Sequence, residues 1–163
     1  MKIQIITLIF ICLSVFTIDA RQGGPLGLGF VLGDPTGISV KYWTGKENAV
    51  SGVLAFNLSH RHYDHDGHYY YDDSSMDAYL HINYLWHSFQ VFPVERGRLP
   101  IYWGVGGRLV MGNDFALGAR GCGGVEFLPN APIDIYLELG LVLNVVPYTA
   151  MDGDIGIGLR YFF

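Results

Sequence analysis

Long apolar runs and charged residues are both scarce in this chain of 163 residues. Its one long apolar stretch lies at residues 3–16, and no later segment approaches the roughly 18 apolar residues that a membrane-spanning helix needs. Charged residues make up 15% of the chain, and the net charge is −5. This balance argues against a nucleic-acid partner, because phosphate binding requires a basic face. No block of like charge indicates a charged tail.

The apolar stretch at the N-terminus has the organisation of a secretory signal peptide. A short positive start precedes the stretch, and a cleavage site ending at Ala20 follows it. We therefore expect a signal peptide over residues 1–20 and one domain over residues 21–163. A retained membrane helix is the alternative, for which the stretch is short. Cleavage would remove Cys12 and leave Cys122, so the mature domain would have no internal disulfide.

After residue 20 the sequence alternates with a period of two and shows no helical period. The alternation is clearest over residues 133–144, where aliphatic residues alternate with polar, small or aromatic ones over most of the stretch. Glycine, with 22 residues, and proline separate the alternating segments, because both suit tight turns. The pattern predicts eight antiparallel strands near residues 25–32, 37–45, 49–58, 76–92, 99–111, 116–128, 132–145 and 152–163.

One face of the predicted strands is bulky and apolar, whereas the other is small or charged. A soluble, lipocalin-like barrel would bury the apolar face, and a membrane barrel would turn that face to lipid. The glycines of the charged face suit a narrow lumen, and a Lys or Arg facing lipid at mid-membrane would cost about 2–4 kcal/mol. We therefore predict an all-β, eight-stranded antiparallel up-and-down transmembrane β-barrel with both termini in the periplasm. Aromatic residues of the outward parity would form a girdle near one interface: Tyr42, Trp86, Trp103, Phe127, Tyr161 and Phe163.

Charges of both signs fall on the inward parity of the predicted strands. The interior of an eight-stranded barrel is just wide enough for side chains, so these charges must pair or stay hydrated. We expect a filled lumen rather than the alternative, a narrow channel, and we expect a contact between Glu138 and Arg160 inside it. The predicted ion-pair network consists of Lys41, Arg108, Arg120, Glu126, Asp134, Glu138 and Arg160.

The last predicted strand ends in Phe163, with Tyr161 and Leu159 on the same face. This ending resembles the C-terminal signature of outer-membrane barrels, which implies that the barrel-assembly machinery reads Tyr161 and Phe163. Strand number and turn lengths are similar to those of OmpA/OmpX-type eight-stranded barrels. The stretches GDPTGISVKYW (33–43) and NAPIDIYLELGLVLNVVP (130–147) resemble a family of small outer-membrane barrels of unknown function. The resemblance implies an outer-membrane protein in contact with lipid and lipopolysaccharide.

The segment SHRHYDHDGHYYYDDSS (59–75) holds four of the six histidines, four aspartates and four tyrosines. It is predicted to be the largest extracellular loop and to carry any binding to an extracellular ligand. Its histidines and two of its aspartates offer ligands for Zn, Ni or Cu, namely His60, His62, His65, His68, Asp64 and Asp66. A solvated surface loop is the favoured interpretation, because a loop constrains histidine geometry poorly. We therefore predict no metal and no cofactor.

An enzyme is the remaining class to weigh, since some eight-stranded outer-membrane barrels are lipid A acyltransferases or deacylases. The loop histidines with Asp73 and Ser74 superficially fit such a site. An acyltransferase of that kind needs an apolar lumen, whereas this lumen is predicted to be charged, and no His-x-Ser pair lies on an outward face. We therefore expect a monomeric, non-enzymatic protein with a structural or surface-interaction role. A lipid A-modifying enzyme and a narrow channel are the alternatives.

Overall fold

Eight antiparallel strands close into a barrel, and two further strands form a separate hairpin, in a computed structural model of the chain. The structure describes residues 23–57, 60–63, 69–72, 77–112, 115–147 and 149–163. Within these ranges, no helix is long and apolar enough to cross a membrane. The strands are β1 (Leu26–Asp34), β2 (Gly37–Trp43), β3 (Asn48–Asn57), β4 (His60–Tyr63), β5 (Tyr69–Asp72), β6 (Asp77–Ser88), β7 (Ile101–Met111), β8 (Ala116–Phe127), β9 (Ile133–Val146) and β10 (Ala150–Phe162).

Each barrel strand pairs with the barrel strands that precede and follow it along the chain, and β10 returns to pair with β1. The prediction of eight antiparallel strands in a closed barrel is therefore confirmed. The structure differs from the prediction in two places, the end of β6 and the segment before β6. The strand ends at Ser88 rather than near residue 92, and the predicted loop contains the hairpin β4–β5, which lies outside the barrel sheet.

The barrel closes where its first and last strands meet. Gly27 pairs with Phe162 at one end of this seam, and Asp34 pairs with Ile155 at the other. Beyond β10, the backbone N–H of Phe163 donates to the carbonyl of Leu26 at 3.0 Å. We call this end of the barrel, where β1 begins and β10 ends, the base, and we call the opposite end the mouth. The connection that contains the β4–β5 hairpin belongs to the mouth.

The outer wall of the barrel is apolar. Burial alternates along β9: Leu139 and Leu141 are exposed, whereas their neighbours Glu138 and Gly140 are buried. Large exposed hydrophobic side chains occur on all eight barrel strands. In a soluble barrel the apolar face would lie inside, so this barrel has the opposite polarity. Near the base, Trp86 stacks on its cross-strand partner Trp103 with ring centroids 4.4 Å apart.

Three inward-facing aromatic side chains lie opposite glycines on neighbouring strands. Tyr136 pairs with Gly158, Tyr102 pairs with Gly124, and Phe162 pairs with Gly27. A Cβ atom at Gly124 would lie 2.6 Å from the Tyr102 hydroxyl, and one at Gly27 would lie 2.8 Å from the Phe162 ring. Real Cβ atoms do not approach so closely. The glycines therefore supply the space in which these rings lie across the narrow lumen.

Candidate functional site

The lumen brings the inward charges together in three clusters, at successive heights between base and mouth. We call the lowest the deep cluster, the next the middle cluster and the highest the mouth cluster. The deep cluster consists of Lys41, His87, Glu126, Asp134 and Arg160. The middle cluster consists of Tyr102, Arg120, Glu138 and Asp154, and the mouth cluster of Arg108, Asn144 and Asp152.

Lys41 is at the centre of the deep cluster, and its side chain is fully buried. The alternation of β2 turns Lys41 and Trp43 inward. The Lys41 Nζ atom lies 2.5 Å from Oε1 of Glu126 and 3.9 Å from Oδ2 of Asp134. It also lies 4.0 Å from the centroid of the Trp43 ring, a cation–π contact. Paired charges and an aromatic face thus replace the water that this ammonium group loses on burial.

His87 completes the lower side of the deep cluster and is a residue that sequence reasoning missed. Its Nε2 atom lies 3.0 Å from Nζ of Lys41 and 3.3 Å from Oε2 of Glu126. Its Nδ1 atom lies 3.1 Å from the backbone carbonyl oxygen of Glu47. A neutral ring protonated at Nδ1 donates to that carbonyl and accepts a hydrogen bond from Lys41 at Nε2. His87 shares the inward parity of Leu85 on β6, which was the available signal.

Arg160 links the deep cluster to a hydroxyl pair above it. Its Nη1 atom lies 3.2 Å from Oδ2 of Asp134, and its Nε donates to Oγ of Ser39 at 2.8 Å. The guanidinium carbon lies 3.7 Å from the centroid of the Tyr136 ring, and the Tyr136 hydroxyl donates to the same Ser39 oxygen at 2.8 Å. Three side chains from two strands, β2 and β9, thereby hold the Arg160 head in one place.

The predicted contact between Glu138 and Arg160 is wrong. A contact with Glu138 requires a register in which Arg160 lies beside Tyr136, but Arg160 is the register partner of Asp134. The expected register therefore differs from the observed one by two residues. A shift of two residues keeps every side chain on its side of the barrel wall but changes the ion-pair partners. Glu138 instead binds Arg120.

Arg120 holds two carboxylates in the middle cluster. Its Nη2 atom lies 2.9 Å from Oε1 of Glu138, and its Nε donates to Oδ2 of Asp154 at 2.9 Å, with a second contact from Nη2 to Asp154. The Tyr102 hydroxyl donates to the other Glu138 oxygen at 2.9 Å. The fork of an arginine suits two carboxylates better than a lysine would. Asp154, which was not among the predicted network residues, belongs to this cluster.

The mouth cluster is smaller and more exposed to solvent. Arg108 donates to Oδ1 of Asn144 at 2.9 Å and to Oδ2 of Asp152 at 2.6 Å, and Asn144 donates to the same Asp152 oxygen at 2.7 Å. The side chains of Arg108 and Asp152 are 13% and 47% exposed. Neither Asn144 nor Asp152 was among the predicted network residues.

Apolar side chains pack between and around these clusters. Near the base they are Trp43, Ala49, Leu85, Tyr102 and Phe162, and higher in the lumen they are Val31, Val53, Ala55 and Tyr136. A cavity of about 10 Å³ beside His81, Arg120 and Asp154 has room for roughly one water molecule. Apolar side chains and paired charges together occupy the lumen around this cavity.

Other side chains of the barrel have varied environments. The Tyr79 hydroxyl lies 3.2 Å from Nδ1 of His81. Asn83 is fully buried, and its side-chain amide has no hydrogen-bond partner among the described residues. Cys122 is partly buried and packs against the apolar cluster at the base. Tyr161 and Phe163 face outward, with ring centroids 5.0 Å apart.

Among the side chains that the structure describes, no group of three or more His, Cys, Asp or Glu residues could hold a metal ion. His65, His68, Asp64 and Asp66 lie outside the described residues, as does the predicted signal peptide over residues 1–20. His60 and His62 belong to strand β4.

Comparison with models of protein families, with curated proteins and with solved structures finds no significant match for this chain. The closed, antiparallel barrel of eight strands is compatible with a small OmpA/OmpX-like barrel.

Proposed function

We propose that this chain is a small outer-membrane β-barrel protein with a filled, charged lumen and a structural or surface-interaction role. The observation that carries the proposal is the polarity of the wall. Large apolar side chains lie on the outside of all eight strands, and the paired charges lie inside. Lipid accepts such an exterior, and a closed barrel leaves no unpaired strand edge within the membrane.

The proposed orientation has the base in the periplasm and the mouth outside the cell. The described chain ends lie at the base, and the longest connection lies at the mouth, as is usual for bacterial outer-membrane barrels. The stacked Trp86–Trp103 pair and the Tyr161–Phe163 pair would then lie at the periplasmic interface, where aromatic side chains are favoured. Lipid, lipopolysaccharide and, during assembly, the barrel-assembly machinery are the proposed partners. The segment 59–75 is the proposed contact with an extracellular ligand, and the barrel acts as a monomer.

Fractionation of a Gram-negative host that expresses the full chain tests the location. We expect the protein in the outer-membrane fraction, with heat-modifiable migration on a gel. Recovery as a soluble periplasmic protein would contradict the proposal. Deletion of Phe163 removes the terminal aromatic residue and its backbone hydrogen bond to Leu26, so it should lower the folded yield more than deletion of one residue from the mouth connections.

A charge placed on the wall distinguishes lipid from water outside the barrel. Leu139 lies near the middle of β9 and is 58% exposed. Leu139→Arg should lower the free energy of unfolding in lipid vesicles by about 2–4 kcal/mol, whereas Val145→Arg, near the mouth end, should cost about 0–1 kcal/mol. Equal and negligible effects would indicate a solvated surface.

The filled lumen predicts little conductance in planar bilayers, because the charges bind one another rather than a hydrated ion. Large and stable channels from the purified protein would favour the narrow-channel alternative instead.

A further inference from the structure

The small cavity in the lumen lies between the turn at the mouth and the middle cluster. Its lining comes from six of the eight barrel strands and from Pro35 in the turn after β1. Asp34, at the mouth end of β1, is exposed, whereas His81 and Arg120 on the opposite side of the lining are each 3% exposed. The cavity therefore lies where the solvent of the mouth meets the buried part of the lumen.

Arg120 offers this cavity a hydrogen-bond donor that no described protein group uses. Its Nε atom donates to Asp154 and its Nη2 atom donates to Glu138, each at 2.9 Å. Its Nη1 atom is buried and has no hydrogen-bond partner among the described residues. A buried donor of a charged group that lacks a partner is costly, so such donors are usually satisfied by protein or by ordered water. The unused nitrogen thus indicates a further molecule beside Arg120.

The charges around the cavity limit what this molecule can be. An anion would lie against the carboxylates of Glu138 and Asp154, and a cation would lie against the guanidinium of Arg120. A neutral molecule that both accepts and donates satisfies all three groups, because a carboxylate oxygen can accept more than one hydrogen bond. The volume of about 10 Å³ has room for roughly one water molecule.

We propose that the cavity binds one ordered water molecule, which accepts a hydrogen bond from Nη1 of Arg120 and donates to a carboxylate of the middle cluster. The water molecule exchanges with solvent through the mouth. On the other side, the deep cluster and the apolar cluster at the base lie between the site and the end of the barrel. The lumen is therefore hydrated from one end. This inference goes beyond the proposed function and does not depend on the membrane.

A crystal structure of the folded chain, at a resolution that shows ordered water, tests the site directly. We expect one solvent peak within about 2.7–3.2 Å of Nη1 of Arg120 and of an oxygen of Glu138 or Asp154. Soaking the crystals with sodium bromide should give no anomalous peak there, because the carboxylates repel an anion. An empty cavity, or a bromide ion in it, would overturn the proposal.

Val53 lines the cavity, so its substitution tests where the water molecule lies. Val53→Ile adds one methyl group at the cavity wall and should displace the solvent peak. Its urea midpoint should also fall, because Nη1 of Arg120 then has no partner. Val40→Ile is the matched control, since Val40 is 37% exposed on the outer wall, and it should keep both the peak and the midpoint. A folded Val53→Ile variant that keeps the peak would contradict the proposed position.

Exchange of arginine side-chain protons with water tests entry from the mouth and needs no variant of the cavity wall. In NMR spectra of the detergent-folded chain labelled with ¹⁵N-arginine, the guanidinium protons of Arg120 should exchange magnetisation with water. Those of Arg160 in the deep cluster should not. Absence of transfer at Arg120 would refute an exchanging water molecule, and equal transfer at both residues would refute hydration from one end. The spectrum of Arg120→Lys identifies the Arg120 signals by their loss.

Discussion

The deep cluster and the mouth cluster use the same ion-pair chemistry in opposite surroundings. Lys41 and Glu126 are fully buried and 2.5 Å apart, whereas Arg108 and Asp152 are 2.6 Å apart but partly exposed. Distance alone would rank the two pairs as equal. Their energetics differ because the buried charges have lost their water and depend on each other, while the exposed charges keep part of their hydration.

The deep cluster contributes little net free energy to stability, yet the removal of one of its charges is costly. Moving both charges out of water offsets much of their attraction. Loss of one partner, however, leaves the other charge buried and unpaired. The deep cluster therefore constrains the structure more strongly than the mouth cluster, even where the two pairs contribute similar net free energy.

The largest effect is expected for Lys41→Met, which removes the cation between Glu126 and Asp134. Glu126 would stay buried beside the Asp134 carboxyl without the cation between them, so the free energy of unfolding should fall by about 3–5 kcal/mol. Urea titration in lipid vesicles, followed by tryptophan fluorescence, would measure the loss. The control is the double variant with Glu126→Leu, which also removes the stranded carboxylate and should recover most of the stability. A silent Lys41→Met would show that the pair does not carry buried charge.

A smaller effect is expected for Gly158→Val, which tests whether packing positions the deep cluster. The new side chain would collide with the Tyr136 ring, and Tyr136 lies against Arg160. Overpacking of this kind should cost about 1–3 kcal/mol in the same titration. Gly121→Val is the matched control, because a Cβ atom at Gly121 has no neighbour within 4 Å. That variant should be neutral or slightly stabilising, and a loss as large as at Gly158 would contradict the proposed role of the inward glycines.

The smallest effect is expected for Asp152→Asn in the mouth cluster, at about 0–1 kcal/mol. The same change two residues along β10, Asp154→Asn, removes one of the two carboxylates bound by the buried guanidinium of Arg120 and should cost clearly more. Raising the NaCl concentration from 0.05 to 1 M should shrink the Asp152 effect and leave the Asp154 effect nearly unchanged, because salt screens exposed pairs. Equal effects at both positions would contradict the distinction between exposed pairs at the mouth and buried pairs lower in the lumen.

The parity of the strands could be predicted from the sequence, because burial on one side imposes a period of two. The seventh predicted segment, 132–145, differs from β9 (Ile133–Val146) by one residue at each end. The border of β6 was less predictable. Phe89 to Phe92 is apolar in part and extends the alternation, yet Phe89 packs near His87 and Arg98 at the base, outside the strand.

The partners within the lumen could not be predicted, because they depend on register and on residues that alternation does not distinguish. A displacement by two residues exchanges the partner of Arg160 while every side chain keeps its side of the wall. His87 was missed for a related reason: its role depends on Lys41 and Glu126, which lie on strands far away in sequence.

The pairing of large rings with glycines has a consequence for the fidelity of barrel assembly. Slippage by two residues is an error that the polarity of the wall and of the lumen would not prevent, since apolar residues stay outside and charges stay inside. Slippage of β7 against β8 by that amount would place Tyr102 opposite Cys122 or Glu126 instead of Gly124. Neither of these residues leaves a recess for the ring. The glycine opposite Tyr102 thus favours the observed register. A strand paired two residues out of register would leave the Tyr102 ring without space in the lumen.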